Sequence, residues 1–161
     1  MKSAFSTVPT ADRAQVAALP LTLGEDGVAR VLLLTSRETR RWVIPKGWPM
    51  RGRKPYEAAA QEALEEAGVT GHAKKKPIGS YRYFKRLAGH FDWCQVDVYP
   101  LWVDKQRKTW RERGQRETRW FTIEEAAELV QEPGLVALLR ELARTGVGEN
   151  APRRLERRAS D

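Results

Sequence analysis

Apolar positions in this chain fall into short runs and helical repeats, and their order predicts the fold. Val16 to Leu21 is an apolar run of strand length, and Gly24-Glu25-Asp26-Gly27 is a turn. Val28 to Leu34 is a second strand, its continuous apolar character implying burial on both faces, and the two read as a hairpin. Ser36 to Arg41 is a polar loop, and Arg41 to Ile44 is a short strand stopped by Pro45. Lys46 to Lys54 holds two glycines and a proline and is a loop. Pro55 opens a helix where its missing N–H costs nothing, alanines at 58, 59, 60 and 63 favour it, and Gly68 caps it. Ile78 to Phe84 and Phe91 to Val103 alternate as strands about a turn through Gly89. Trp120-Phe121 ends a last strand, and Thr122 caps a helix over Ile123 to Val130 with Glu125 as capping-box partner. Pro133 breaks that helix, and Leu135 to Ala143 is a final amphipathic one. Strands, helix, strands, helices describe an α/β protein with helices packed on a mixed sheet.

Length and charge refine this picture. The 161 residues suit one domain with a sizeable core, expected over 13–145, between a flexible N-terminus at 1–12 and a basic, disordered tail at 146–161. The lone Cys94 cannot form an internal disulfide; it reads as a small buried strand residue in a reducing compartment. No apolar leader or membrane-length run is present, so a soluble, cytoplasmic protein is expected. The net charge of +8 is spread over the tail and over internal clusters: Arg37 to Lys54, Lys74-Lys75-Lys76, and Arg82, Lys85 and Arg86. Such clusters attract polyanions. Two scattered histidines, His72 and His90, do not make a zinc site, and the six tryptophans read as core packing rather than a nucleic-acid stacking pattern.

The helix from Pro55 carries the chemistry. At about 100° per residue, Tyr56, Ala60, Ala63, Leu64 and Ala67 gather on one side and Glu62, Glu65 and Glu66 on the other. Three like charges at that spacing repel, and the helical neighbours Ala58, Val69 and Thr70 offer no cation. A divalent ion such as Mg²⁺ would relieve them. The Gly- and Lys-bearing loop leads into the helix N-terminus, which favours phosphate. Acidic metal ligands beside a basic phosphate-accepting loop suit phosphoryl transfer.

These residues resemble the Nudix signature: Gly, five residues, Glu, seven residues, then Arg-Glu-aliphatic-x-Glu-Glu-x-Gly-aliphatic. Gly47 starts it and Glu62-Ala63-Leu64-Glu65-Glu66-Ala67-Gly68-Val69 closes it. Arg53 stands where the signature has its first Glu, and Gln61 where it has Arg. Leu32 to Arg37, Arg41 to Pro45 and Arg119 to Glu124 look most like the diphosphoinositol polyphosphate phosphohydrolase branch. The resemblance implies an α/β/α sandwich that hydrolyses phosphoanhydrides in an anionic polyphosphate, using Mg²⁺ or, alternatively, Mn²⁺. It implies Glu62, Glu66 and the Lys46 carbonyl as metal ligands, and Glu65 as general base or, alternatively, as a further metal ligand. Ser36, Arg37, Lys46, Gly47 and Trp48 align with substrate contacts of the branch; Arg53, by its charge, and Lys85 and Arg86, in a turn that could reach over the site, are further candidate contacts, and Glu112 is either an extra ligand or base or an exposed loop residue. Hydrolysis of RNA 5′ ends and a non-catalytic polyphosphate-binding domain stay open, with partner proteins unassigned.

Overall fold

Strand β1 (Ala14–Leu23) organises the sheet because it is buried on both sides and pairs on both edges. It runs parallel to β7 (His90–Gln106) from Ala14–Gln95 to Leu21–Trp102, and antiparallel to β2 (Ala29–Thr35) at Leu21–Val31. Sheet order is β3 (Trp42–Val43), β2, β1, β7, β5 (Val69–Ala73). Off this path, β4 (Lys46–Gly47) pairs with the start of β1, β6 (Gly79–Leu87) with β7, and β8 (Thr118–Thr122) with β2. All pairings but β1–β7 are antiparallel, so the sheet is mixed. The computed structural model describes residues 13–147; the expected flexible N-terminus and nearly all of the expected basic tail lie outside the described residues.

Strand alternation divides the core into two layers. Val16 and Ala18 of β1, with Leu32 and Leu34 of β2, meet Ala58, Ala59, Ala63 and Ala67 of helix α1 (Pro55–Ala67). Ala17, Leu19 and Leu21, with Val31 and Leu33, face the opposite way. There they meet Ile123 and Ala126 of α2 (Ile123–Leu129) and Leu135, Leu139 and Leu142 of α3 (Pro133–Thr145). The result is an α/β/α sandwich. Small alanines let α1 lie close to the sheet, which sets the depth of its acidic edge. Cys94 is fully buried in β7, as expected. Among the described residues, no helix is long and apolar enough to cross a membrane.

Four points of the expected fold need correction. Strand β5 was not foreseen, because its Thr, Gly, His and Ala carry little strand signal; Gly71 sits at a register shift, backed against the Trp102 carbonyl with no room for a Cβ. The loop expected over 46–54 begins with the two-residue β4, and Pro133 opens α3 as well as ending the preceding segment. The buried side of α1 is Ala58, Ala59, Ala63 and Ala67 together with Glu66, whereas Tyr56, Ala60 and Leu64 are half-buried.

The end of α1 also anchors the loop between β7 and β8. Gly68 caps the helix at φ 72°, and an added Cβ would collide with the Trp110 ring lying over it. Arg107 N–H donates to the Gly68 carbonyl (2.8 Å), and Glu112 N–H to that of Glu65 (3.0 Å). Gly68→Ala combines left-handed strain with this clash. It should cost about 1–3 kcal/mol in urea unfolding and loosen the 107–117 loop, read as faster amide exchange at Glu112.

Candidate metal and phosphate site

Glu62 and Glu66 stand one turn apart on the edge of α1 that borders the sheet, and their carboxyl groups hydrogen-bond each other. Glu66 is only 6% exposed. Desolvation, reinforced by the bond to Glu62, pushes its pKa up to about 9, with Arg116 pulling the other way. Desolvation also raises Glu62. The pair therefore holds a proton near neutral pH that a cation would displace. Gly47 of β4 lies directly against Glu62, and an added Cβ would overlap that carboxylate. A side chain at 47 would therefore push the Glu62 carboxylate aside.

A cation does reach this pair, contrary to the reading from helical neighbours alone. Arg116, from the loop before β8, places Nη2 3.9 Å from Glu66 Oε1, donates through Nε to Glu112 (2.8 Å) and through Nη1 to the Thr35 carbonyl (3.2 Å). Glu112, left open between site and solvent, is turned inward: it is half-buried and lines the same cleft. Its partner Arg116 was not foreseen, since a contact fifty residues from the helix leaves no local signal.

Glu65 lies beside the cleft rather than on its wall. Gln61 donates to its Oε2 (2.8 Å) and Arg111 to its Oε1 (3.4 Å). Arg53 in turn donates to Gln61 Oε1 (3.4 Å). The two positions that depart from the signature therefore touch each other, and Gln61 links the Arg53 guanidinium to the Glu65 carboxylate. Arg53 itself sits outside the cleft, lining a hollow with Tyr56 and Gln61.

The cleft above Glu62 and Glu66 encloses about 1040 Å³. Ser36, Arg37, Lys46, Gly47, Trp48, Lys85 and Arg86 all line it, so the structure brings these expected contacts together. Ser36 also shapes its own loop, its Oγ accepting from the Arg41 N–H at 3.0 Å. Arg37 leans on Gln115 of the 107–117 loop (3.3 Å). Lys46 lies over the Tyr83 ring (5.1 Å) and Lys85 over that of Trp48 (5.9 Å). Burial lowers the Lys46 pKa, against the pull of Glu132 and Glu66. Tyr83, which donates to Gln15 at 2.6 Å, was also not foreseen.

Among the described residues, no three His, Cys, Asp or Glu side chains converge as a ready-made cage. The donors present still fit Mg²⁺, which takes one or two carboxylates and keeps several waters. Two acid groups in contact, raised by burial and backed by a close glycine backbone, are what a hard cation would relieve.

Two tests follow from this geometry. Between pH 4.5, the ordinary value for Glu66, and about 9, the folded carboxyl keeps its proton while the unfolded one loses it. Metal-free stability should therefore fall as pH rises through that window. Glu66→Gln should remove the effect, gaining about 1–3 kcal/mol over the parent near pH 8 in chelator; equal pH slopes in urea melts would refute it. Gly47→Ala should displace Glu62 and weaken Mg²⁺ binding at least tenfold by calorimetry, with the thermal midpoint little changed.

The chain also has relatives among known proteins. The NUDIX domain model matches residues 12–143. Over 135 residues the chain is 32% identical to Nudix hydrolase 12, mitochondrial, of Arabidopsis thaliana, covering 81% of this chain and 66% of that protein. Over 108 residues it is 32% identical to diphosphoinositol polyphosphate phosphohydrolase 3-beta of Bos taurus, covering 63% and 59%. The chain thus spans about two thirds or less of these relatives. A C. elegans Ap4A hydrolase in a binary complex superposes with TM-score 0.62 at 20% identity, covering 84% of this chain and 98% of that one. The NUDIX domain of Shewanella oneidensis NrtR complexed with ADP ribose gives 0.59 at 15%, covering 84% and 93%. With a matching signature, sandwich and acidic helix edge, the chain belongs to the Nudix family.

Proposed function

We propose that the protein is a Mg²⁺-dependent pyrophosphohydrolase acting on a highly anionic polyphosphate, either a diphosphoinositol polyphosphate or a dinucleoside polyphosphate. The observation that carries this is the pair of buried Glu66 and half-buried Glu62 in a cleft walled by Arg37, Lys46, Lys85 and Arg86. Acid below and cations around it divide the work: a metal neutralises some phosphate oxygens and the basic side chains bind the rest. Glu62 and Glu66, with the Lys46 carbonyl, would hold the ion, which when bound would supply water activation and polarisation of the phosphoanhydride. Mn²⁺ would serve in its place.

Lys46, half-buried and close to the acids, positions the phosphate chain, while Arg37, Lys85 and Arg86 grip its outer end. Resemblance assigns the base to Glu65, which Gln61 and Arg111 hold in one orientation. Glu112 is the second reading for this role, because it lines the cleft and Glu65 does not. Arg116 balances the acids and fixes Glu112. A reducing location, cytoplasmic in our reading, suits the unpaired buried Cys94.

The test is product release with Mg²⁺ from an inositol pyrophosphate, a dinucleoside polyphosphate, ADP-ribose and triphosphorylated RNA. Turnover of one of the first two is expected, falling about 100-fold or more in Glu66→Gln. Of Glu65→Gln and Glu112→Gln, the variant that loses the acidic limb of the pH–rate profile identifies the base. Tight, salt-sensitive binding without turnover of any substrate would make this a binding domain.

A further inference from the structure

The β6–β7 hairpin carries a surface of which the hydrolytic reading uses only Arg86, at its edge. Two β6 residues serve the interior: Tyr81 is buried and Tyr83 packs beside it. The even-numbered residues Arg82, Phe84 and Arg86 share the other face with their cross-strand partners Gln95, Trp93 and Phe91. Helix α1 packs on β7 only further along, at Tyr99 and Leu101, and leaves this stretch uncovered. Phe84 is 59% exposed and Phe91 63%, unusual for such side chains.

The face is a ladder of rings and cations. Phe84 stacks on Trp93 at 3.8 Å, with 26° between the planes. The Arg82 guanidinium lies 4.6 Å from the Trp93 ring centre, and that of Arg86 lies 6.0 Å from the Phe91 ring centre. Phe84, Arg86 and Phe91 also line the mouth of the cleft, so the ladder continues out of the candidate site. The nearby Asp92 is ion-paired with Arg13 at 2.9 Å and leaves the face basic.

We propose that this hairpin face binds the unpaired bases of a single-stranded oligonucleotide whose phosphates track Arg82 and Arg86. Exposed rings accept any base by stacking, and interleaved arginines neutralise the backbone between them. Charge decides against a second copy of the chain, because an identical face would set these arginines against their own kind. An inositol polyphosphate satisfies the cations but gives the rings nothing to stack on. The surface stands on its own geometry and does not depend on which substrate the cleft hydrolyses.

Fluorescence anisotropy in chelator, where no turnover occurs, tests this with a short 3′-labelled oligouridylate. Saturable binding is expected, weaker by about tenfold in Phe84→Ala/Phe91→Ala. Arg82→Ala/Arg86→Ala should instead flatten the salt dependence. An abasic backbone of equal charge should bind the parent and the phenylalanine variant alike and weakly. Phe84→Leu/Phe91→Leu keeps apolar bulk without stacking and should also lose affinity, which separates stacking from misfolding. Equal affinity for the abasic strand, or no effect of either phenylalanine variant, overturns the proposal. So does parent self-association in sedimentation velocity that the alanine variant abolishes. Binding without RNA hydrolysis would leave the surface standing and limit only the choice of substrate.

Discussion

The desolvated carboxyl of Glu66 is the constraint around which the functional half of this molecule is arranged. A buried carboxylate is costly unless something charged or hydrogen-bonding meets it, and here several elements converge to do so. Glu62 shares a hydrogen bond with it, and Arg116 approaches from the far loop. Each helper has its own requirement. Glu62 can sit where it does because residue 47 has no side chain. Arg116 can reach because the 107–117 loop is pinned over the end of α1, which in turn needs glycine at 68 so that Trp110 can lie flat. The glycines at both ends of the motif therefore make room, one for an acid and one for a ring.

What the sequence made legible follows from whether the information is local. Helix α1 was bounded correctly, Pro55 to Gly68, because its start, stop and composition are all signalled within the helix. The β1–β2 hairpin was legible because both strands are unbroken apolar runs. Strand β5 was not, since Thr70, Gly71 and His72 are placed there by β7 rather than by their own preference. Within the site the same division holds. Glu62, Glu65 and Glu66 were visible as a pattern, but their unequal surroundings were not. Helical spacing groups the three, whereas packing on the sheet buries Glu66 and leaves Glu65 beside Gln61 and Arg111. The hairpin ladder escaped a reading along the chain because its pairs, Phe84 with Trp93 and Arg86 with Phe91, form across strands.

The two departures from the family signature gain a physical meaning from their contact. Read singly, Arg53 looks like a misplaced charge and Gln61 like a lost one. In the fold, the Gln61 amide receives from Arg53 at its oxygen and gives to Glu65 from its nitrogen. A polarised amide between a cation and an anion transmits part of the attraction while keeping both groups apart. Arg111 adds a second, exposed contact on the other oxygen. Glu65 is thus oriented without a buried cation of its own, which leaves its charge available and its position defined.

This separation of charge also accounts for how a strongly basic chain can keep a pair of acids in its cleft. The excess positive charge is carried at the rim, by Arg37, Lys85 and Arg86, and by surface clusters such as Lys74 to Lys76. Screening weakens those exposed charges over roughly 8–10 Å, while the acids work at contact distance in a drier setting. Lys46 marks the boundary, its charge opposed by burial and supported by Glu66 and Glu132. A polyphosphate entering the cleft would meet cations first and acids last. In the proposed function a metal ion between that polyphosphate and the Glu62–Glu66 pair would offset the repulsion of like charges, so ion binding and substrate binding would support each other.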